Sequence, residues 1–183
     1  MSVIEFILFP VSILVGLAIA RLLEGLYIVS ESKERYWVHT IWLCSKLGQV
    51  LLTIWTWRIG GSVGLAFGEH PTFAEMILSM ATPGLIFLQA IALLGHTPKS
   101  TQNWEEHFYA NRTRFFILNL MMISVTGYSS MRFGGVPVMP FFILFALSVV
   151  ALVTDNRRIH GGIACLAVVV VTIGIGSTIV AAS

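Results

Sequence analysis

Residues Phe6 to Ile28 read FILFPVSILVGLAIARLLEGLYI, an apolar run interrupted by two charges, Arg21 and Glu24. At 1.5 Å of rise per residue, these 23 positions make a helix about 35 Å long, enough to cross a hydrocarbon core about 30 Å thick. Five further segments read the same way: Trp37 to Trp57, Phe73 to Leu94, Phe115 to Met131, Val136 to Val153 and Ile163 to Ala182. The expectation is an all-α integral membrane bundle of six transmembrane helices. It forms one polytopic domain over residues 1–183 with no separate soluble domain. Continuously apolar runs favour helices over a barrel, whose strands alternate in ten-residue pieces. The fourth and fifth spans are short and separated only by Arg132-Phe-Gly-Gly, so a re-entrant pair is the alternative to two full crossings.

Composition agrees. Hydrophobic residues make up 56% of the 183, charged residues 11%, and the mean hydropathy is +0.86. A soluble domain carries about a quarter charged residues, so a soluble enzyme or disordered tail is excluded. A net charge of +2, scattered through loops, gives no footprint for nucleic acid. Cys44 and Cys165 lie far apart in apolar runs, without metal-type spacing.

Basic residues orient the bundle. Lys33, Arg35, Lys99, Arg112, Arg114, Arg157 and Arg158 fall in the loops after spans one, three and five, against Arg58 and Arg132 after spans two and four. Those three loops are therefore expected in the cytoplasm and both termini outside. Ala18-Ile19-Ala20 mimics a leader-peptide cleavage site, but Glu5 replaces the usual positive charge and the apolar run continues, so the segment is read as a span. The sequon Asn111-Arg112-Thr113 then faces the cytoplasm and is read as chance. Tyr27, Tyr36, Trp37, Trp55, Trp57, Tyr109 and Tyr128 mark the interfaces. Trp104 to Arg114 is expected to be a short surface helix, with Glu105, Glu106 and Arg112 toward water.

Three charges fall in the apolar body of the first two spans. Arg21 lies about 10 Å from the cytoplasmic end of span one, Glu24 is on the same face at i+3, and Lys46 is near the middle of span two. An unpaired charge at that depth costs at least ~2.5–3.5 kcal/mol. Glu24 is the acid in the apolar body of a span, so it is the expected counter-ion of Arg21, Lys46 or both. His39, Trp42, Lys46, Gln49 and Thr53 draw a polar stripe on span two. Gln89 and Asn119 fall in the same cytoplasmic half. Together Arg21, Glu24, Lys46 and Gln49, extended by His39, Gln89 and Asn119, form the expected buried polar cluster. Ser12, Gly16 and Ala20 precede Glu24 at four-residue steps, a small-residue face for helix packing.

Two readings of the cluster stand side by side. It locks helices together, or it lines a water-accessible path or anion pocket with Glu24 or His39 exchanging protons. Pro83, in Thr82-Pro83-Gly84, is expected to kink or break span three. Gly174-Ile-Gly176-Ser177 is read as a packing face, and Pro10, Pro137 and Pro140 as residues near span starts. Arg58-Ile-Gly-Gly and Arg132-Phe-Gly-Gly read as helix C-caps. His39, His96 and His160 near cytoplasmic helix ends raise a haem reading, without diagnostic spacing, and no cofactor or metal is expected. No phosphate loop, GxSxG elbow or HExxH occurs.

The run Ser12-Ile-Leu-Val-Gly-Leu-Ala-Ile-Ala-Arg-Leu-Leu-Glu-Gly-Leu, with Tyr36-Trp-Val-His-Thr-Ile-Trp and His107-Phe-Tyr-Ala-Asn-Arg-Thr-Arg-Phe-Phe, resembles small bacterial polytopic membrane proteins of unassigned function. The resemblance implies a bacterial inner membrane and carries over no catalytic residue. The leading functional expectation is a non-catalytic homo-oligomer or accessory subunit of a membrane complex. A small channel or transporter and a haem-binding electron carrier follow it.

Overall fold

The computed structural model describes residues 3–59, 72–95, 103–133 and 138–181. These residues form six helices and no strands: α1 (Val3–Glu31), α2 (Trp37–Ile59), α3 (Phe73–Leu94), α4 (Trp104–Phe133), α5 (Met139–Val153) and α6 (Arg157–Ala181). Within the described residues, each expected span falls on one helix. Two of them, over Leu8–Glu31 in α1 and Met76–Leu94 in α3, are long and apolar enough to cross a membrane, and α5 is a shorter apolar helix.

The helices pack as a closed ring in the order α1, α3, α4, α5, α6, α2, with α2 also touching α3 and α4. The side chain at the middle of α2 is thereby placed among several helices. The inner seam of α1 is Val11, Val15, Ala18, Leu22 and Val29, all buried at helical spacing. Outward, the ring presents large apolar side chains: Phe9 is 71% exposed, Phe73 72%, Phe142 63% and Ile173 63%. The buried set conversely includes His39, Ser45, Lys46, Gln89, Asn119, Ser130, Ser148 and His160.

The chain departs from expectation at loop three. Trp104 to Arg114 is no separate surface helix; it is the first third of α4, a single helix of 30 residues. Asn103 caps it, its Oδ1 accepting the N–H groups of Glu105 at 3.0 Å and Glu106 at 3.1 Å, and those acids complement the helix dipole. Trp104 and Phe108 lie on the same buried stripe as Phe115, Phe116 and Met122, so nothing breaks the helix between them. Arg112, expected toward water, bonds the Thr154 carbonyl and pairs with Asp155.

α3 is not broken at Pro83 but stays helical through it, and Pro10 lies inside α1, which reaches back to Val3. Pro140 sits in the first turn of α5, where its missing N–H is harmless. Pro137, His96, Lys99 and the glycine pairs after Ile59 and Phe133 lie outside the described residues.

The starts of α2, α4 and α6 meet at one end of the ring. Tyr36 and Tyr109 hydroxyls are 3.2 Å apart, and Arg157 Nε pairs with Glu105 Oε1 at 2.8 Å. Helix contact here is close enough to require glycine: a Cβ on Gly25 would lie 2.5 Å from Leu94 Cδ2, whereas one on Gly16 would meet nothing within 4 Å. Leu94 is fully buried and has no room to yield. Gly25→Ala is therefore expected to destabilise the fold by about 1–3 kcal/mol. Gly16→Ala should leave it unchanged or improve it by up to about 1 kcal/mol. Reversible unfolding of the two variants in mild detergent checks this.

Candidate functional site

The C-terminus of α3 ends inside the bundle, where its last carbonyls have no intrahelical donors. Gly95 closes the helix at φ +70°, a left-handed conformation suited to glycine, and its N–H returns to the Ile91 carbonyl at 2.8 Å. Three other helices supply donors to the Leu93 and Gly95 carbonyls. Arg21 Nη2 from α1 donates to the Gly95 carbonyl at 2.5 Å. His39 from α2 and His107 from α4 both place Nε2 at 2.9 Å from the Leu93 carbonyl. A carbonyl only accepts, so both imidazoles carry their proton on Nε2. The same carbonyl end thus ties α1, α2 and α4 to α3.

Arg21 also pairs with Glu24, Nη1 to Oε2 at 2.6 Å along α1. Lys46 does not join this pair. Among the described residues no carboxylate lies within 4.0 Å of its Nζ. Instead Nζ donates to Gln49 Oε1 at 3.0 Å and Asn119 Oδ1 at 2.5 Å. Asn119 Nδ2 continues to Ser148 Oγ at 2.8 Å, and Ser148 donates to the Leu144 carbonyl at 2.7 Å. The rings of Trp42 and Phe115 stand 5.8 and 5.5 Å from the ammonium, within cation–π range. Lys46 has no exposed surface at all.

The expected cluster is therefore two assemblies. Arg21, Glu24 and His39 belong to the α3 terminus, while Lys46, Gln49 and Asn119 form a network linking α2, α4 and α5. Gln89 donates to the Leu118 carbonyl at 3.3 Å and its Oε1 is unpartnered among the described residues. The small-residue face also sits elsewhere than helix packing within the chain requires: Ser12, Gly16 and Ala20 are exposed. His107 and Ser148 were not picked out as site residues by sequence reasoning. Ser148 had a signal, as the one hydroxyl in the apolar run of α5.

A second carbonyl clamp closes the α5 end, where Arg112 and His160 Nε2, the latter at 3.0 Å, both bond the Thr154 carbonyl. Beside it lies a half-open cavity of about 290 Å³ lined by Asn103, Glu105, Glu106, Tyr109, Asp155 and Arg157. Burial lowers the pKa values of His107, at the α3 terminus, and of His160, at the α5 end, below the ordinary 6.5, against the opposing pull of their carbonyl bonds. Tyr36 is raised by burial and by the Tyr109 hydroxyl.

Among the described residues, no group of three or more His, Cys, Asp or Glu side chains is placed to hold a metal ion. No protein-family model, curated protein or solved structure matches the chain.

Two outcomes follow from these bonds. His107 and His160 are depressed in the folded state, so the unfolded chain binds more protons below pH 6.5. Stability is then complete above that pH and falls as pH drops toward their folded values. Unfolding midpoints between pH 8 and 5 should show a loss on the acid side that His160→Gln reduces. Asn119→Leu strips both Lys46 and Ser148 of a partner and should cost about 2–4 kcal/mol. Adding Lys46→Met should recover much of it in a double-mutant cycle.

Proposed function

We propose that the chain is a multi-pass protein of a bacterial inner membrane that works without catalysis, as a homo-oligomer or an accessory subunit of a larger membrane assembly. All six helices cross, the fifth with local thinning of the lipid, and the joined starts of α2, α4 and α6 face the cytoplasm with their arginines.

One observation carries the reading. The small-residue stripe of α1 is turned away from the chain's own core, with open space beyond Gly16. Lipid tails gain little from such a groove, whereas a second helix packs into it closely. Glu24 continues the stripe with a side chain 45% uncovered, an unfavourable surface to leave against hydrocarbon and one that a partner would shield. The interior is committed meanwhile: Lys46 is sealed, and its two amide acceptors are on neighbouring turns and helices. A transporter built on Lys46 is the second reading, favoured by the lack of a carboxylate beside it and opposed by its complete enclosure.

Native mass measurement after gentle solubilisation tests the subunit reading. Expected is a particle larger than one 20.1 kDa protomer, which Gly16→Leu combined with Ala20→Leu reduces to the protomer without loss of helicity. A wild-type protein that is always a lone protomer, with no co-purifying subunit, would contradict it.

A further inference from the structure

One carbonyl straps the turn between α5 and α6 to α4. Thr154, at the end of α5, offers its oxygen to donors from two other helices, Arg112 of α4 and His160 Nε2 of α6. Among the described residues, the buried ones of α5 are Ser148 and Ala151, so this end of the helix depends on the strap. A carbonyl only accepts, so His160 carries its proton on Nε2 and leaves Nδ1 as a bare acceptor. That Nδ1 is buried without a hydrogen-bond partner among the described residues, and the whole residue is 0% exposed. Phe108 and Tyr109 stand edge-on to the ring at 5.7 and 5.4 Å, and Phe116 is tilted against it at 5.8 Å. The charged neighbours offer a second proton no acceptor. Arg112, from α4, is itself a cation; Asp155, from the turn, is paired with Arg112 and has a side chain 85% exposed. Glu105 of α4 is paired with Arg157 of α6, and Tyr36 of α2 bonds the Tyr109 hydroxyl.

We propose that the α5–α6 turn is a proton-released strap: a second proton on His160 detaches it from Thr154 and frees the turn from α4 while the other helices stay packed. The reason is geometric. An N–H created on Nδ1 meets aromatic carbon on one side and the Arg112 cation nearby, and a buried charged donor without a partner is strongly unfavourable. It reaches water when the ring leaves its seat, and the Nε2 bond to Thr154 leaves with it. The half-open cavity lined by Asp155, Glu105 and Arg157 borders the same turn, so the turn has open space on one side. The sign agrees: burial, with Arg112 adding to it, holds His160 below 6.5 in the closed turn, and release into water restores the ordinary value. The open turn therefore binds the proton more readily. The strap is closed above pH 6.5 and opens as pH falls below it, by at most about tenfold per pH unit, the slope of one proton. This device holds whichever side of a membrane this end faces and does not rest on the subunit reading.

The test is amide hydrogen exchange of the full chain in nanodiscs at pH 8 and pH 5, read peptide by peptide, which reports local opening separately from global unfolding. His160→Gln keeps an N–H donor for the Thr154 carbonyl but does not titrate. Comparing it with wild type at equal pH cancels the intrinsic pH dependence of exchange. Expected at pH 5 is exchange about tenfold faster in wild type than in the variant for peptides covering residues 150–160, with the two alike at pH 8 and α1 and α3 unchanged throughout. Wild type and variant alike at pH 5 overturn the proposal. So does acid-induced exchange that rises in α1 and α3 together with the turn, because that is global unfolding. If the variant does not fold, the wild-type profile, corrected for intrinsic rates, decides: loss of protection confined to the turn supports the strap, and loss everywhere or nowhere refutes it.

Discussion

A helix that ends within a bundle leaves its last carbonyls without partners, and the end of α3 is where this chain meets that constraint. The Leu93 carbonyl takes two imidazole N–H groups and the Gly95 carbonyl takes a guanidinium, from three different helices. Unsatisfied, those carbonyls would each cost a few kcal/mol in an apolar setting. Satisfied, they fix the relative height of α1, α2 and α4 against α3. Gly95 is central to both aspects, since its positive φ ends the helix and its missing Cβ leaves room for His107, whose Cε1 would lie 3.0 Å from such an atom. The Thr154 carbonyl repeats the device with Arg112 and His160 at the end of α5.

Once the heights are fixed, the deeper polar network follows. Four turns of α2 run from His39 beside Leu93 to Thr53, and Lys46 falls midway, level with Asn119 on α4. Asn119 has one amide oxygen and one amide nitrogen to offer; it gives the first to Lys46 and the second to Ser148. One side chain therefore joins α2 to α5 through α4. The deepest polar groups lie along this inner path, and much of the outer surface of the helices is Phe, Ile, Leu, Val and Met. Such a distribution suits a hydrocarbon surrounding, where interhelical hydrogen bonds and close packing take over from the hydrophobic effect.

Local relations were legible in the sequence and long-range ones less so. Arg21 with Glu24 and Lys46 with Gln49 are i,i+3 neighbours, which any helix brings together. Asn119 was expected in the same half of the bundle as Lys46 because hydropathy fixes depth, and the two side chains meet. Which cation Glu24 would choose was not readable, since depth and helical phase do not say how far one helix is rotated toward another. The small residues of α1 illustrate the same gap. Ser12, Gly16 and Ala20 define a face, but the inner seam is Val11, Val15, Ala18 and Leu22, and both spacings satisfy a packing pattern. At loop three the error came from treating polar residues as the end of a span. Glu105, Glu106 and Arg112 are compatible with a helix that simply continues, and Trp104 and Phe108 bury its opposite side.

The proposed membrane placement rests on polar groups turned inward and apolar groups turned outward around the same ring. Spin labels placed singly along α6 from Ile163 to Ile173, in reconstituted bilayers, test it most directly through collision with oxygen and with an aqueous nickel complex. Expected are oxygen maxima at Leu166, Val169 and Ile173, minima at Ala164 and Ala167, and low nickel collision throughout. High nickel collision at Leu166, Val169 and Ile173 would mean that this surface meets water, and would contradict the account.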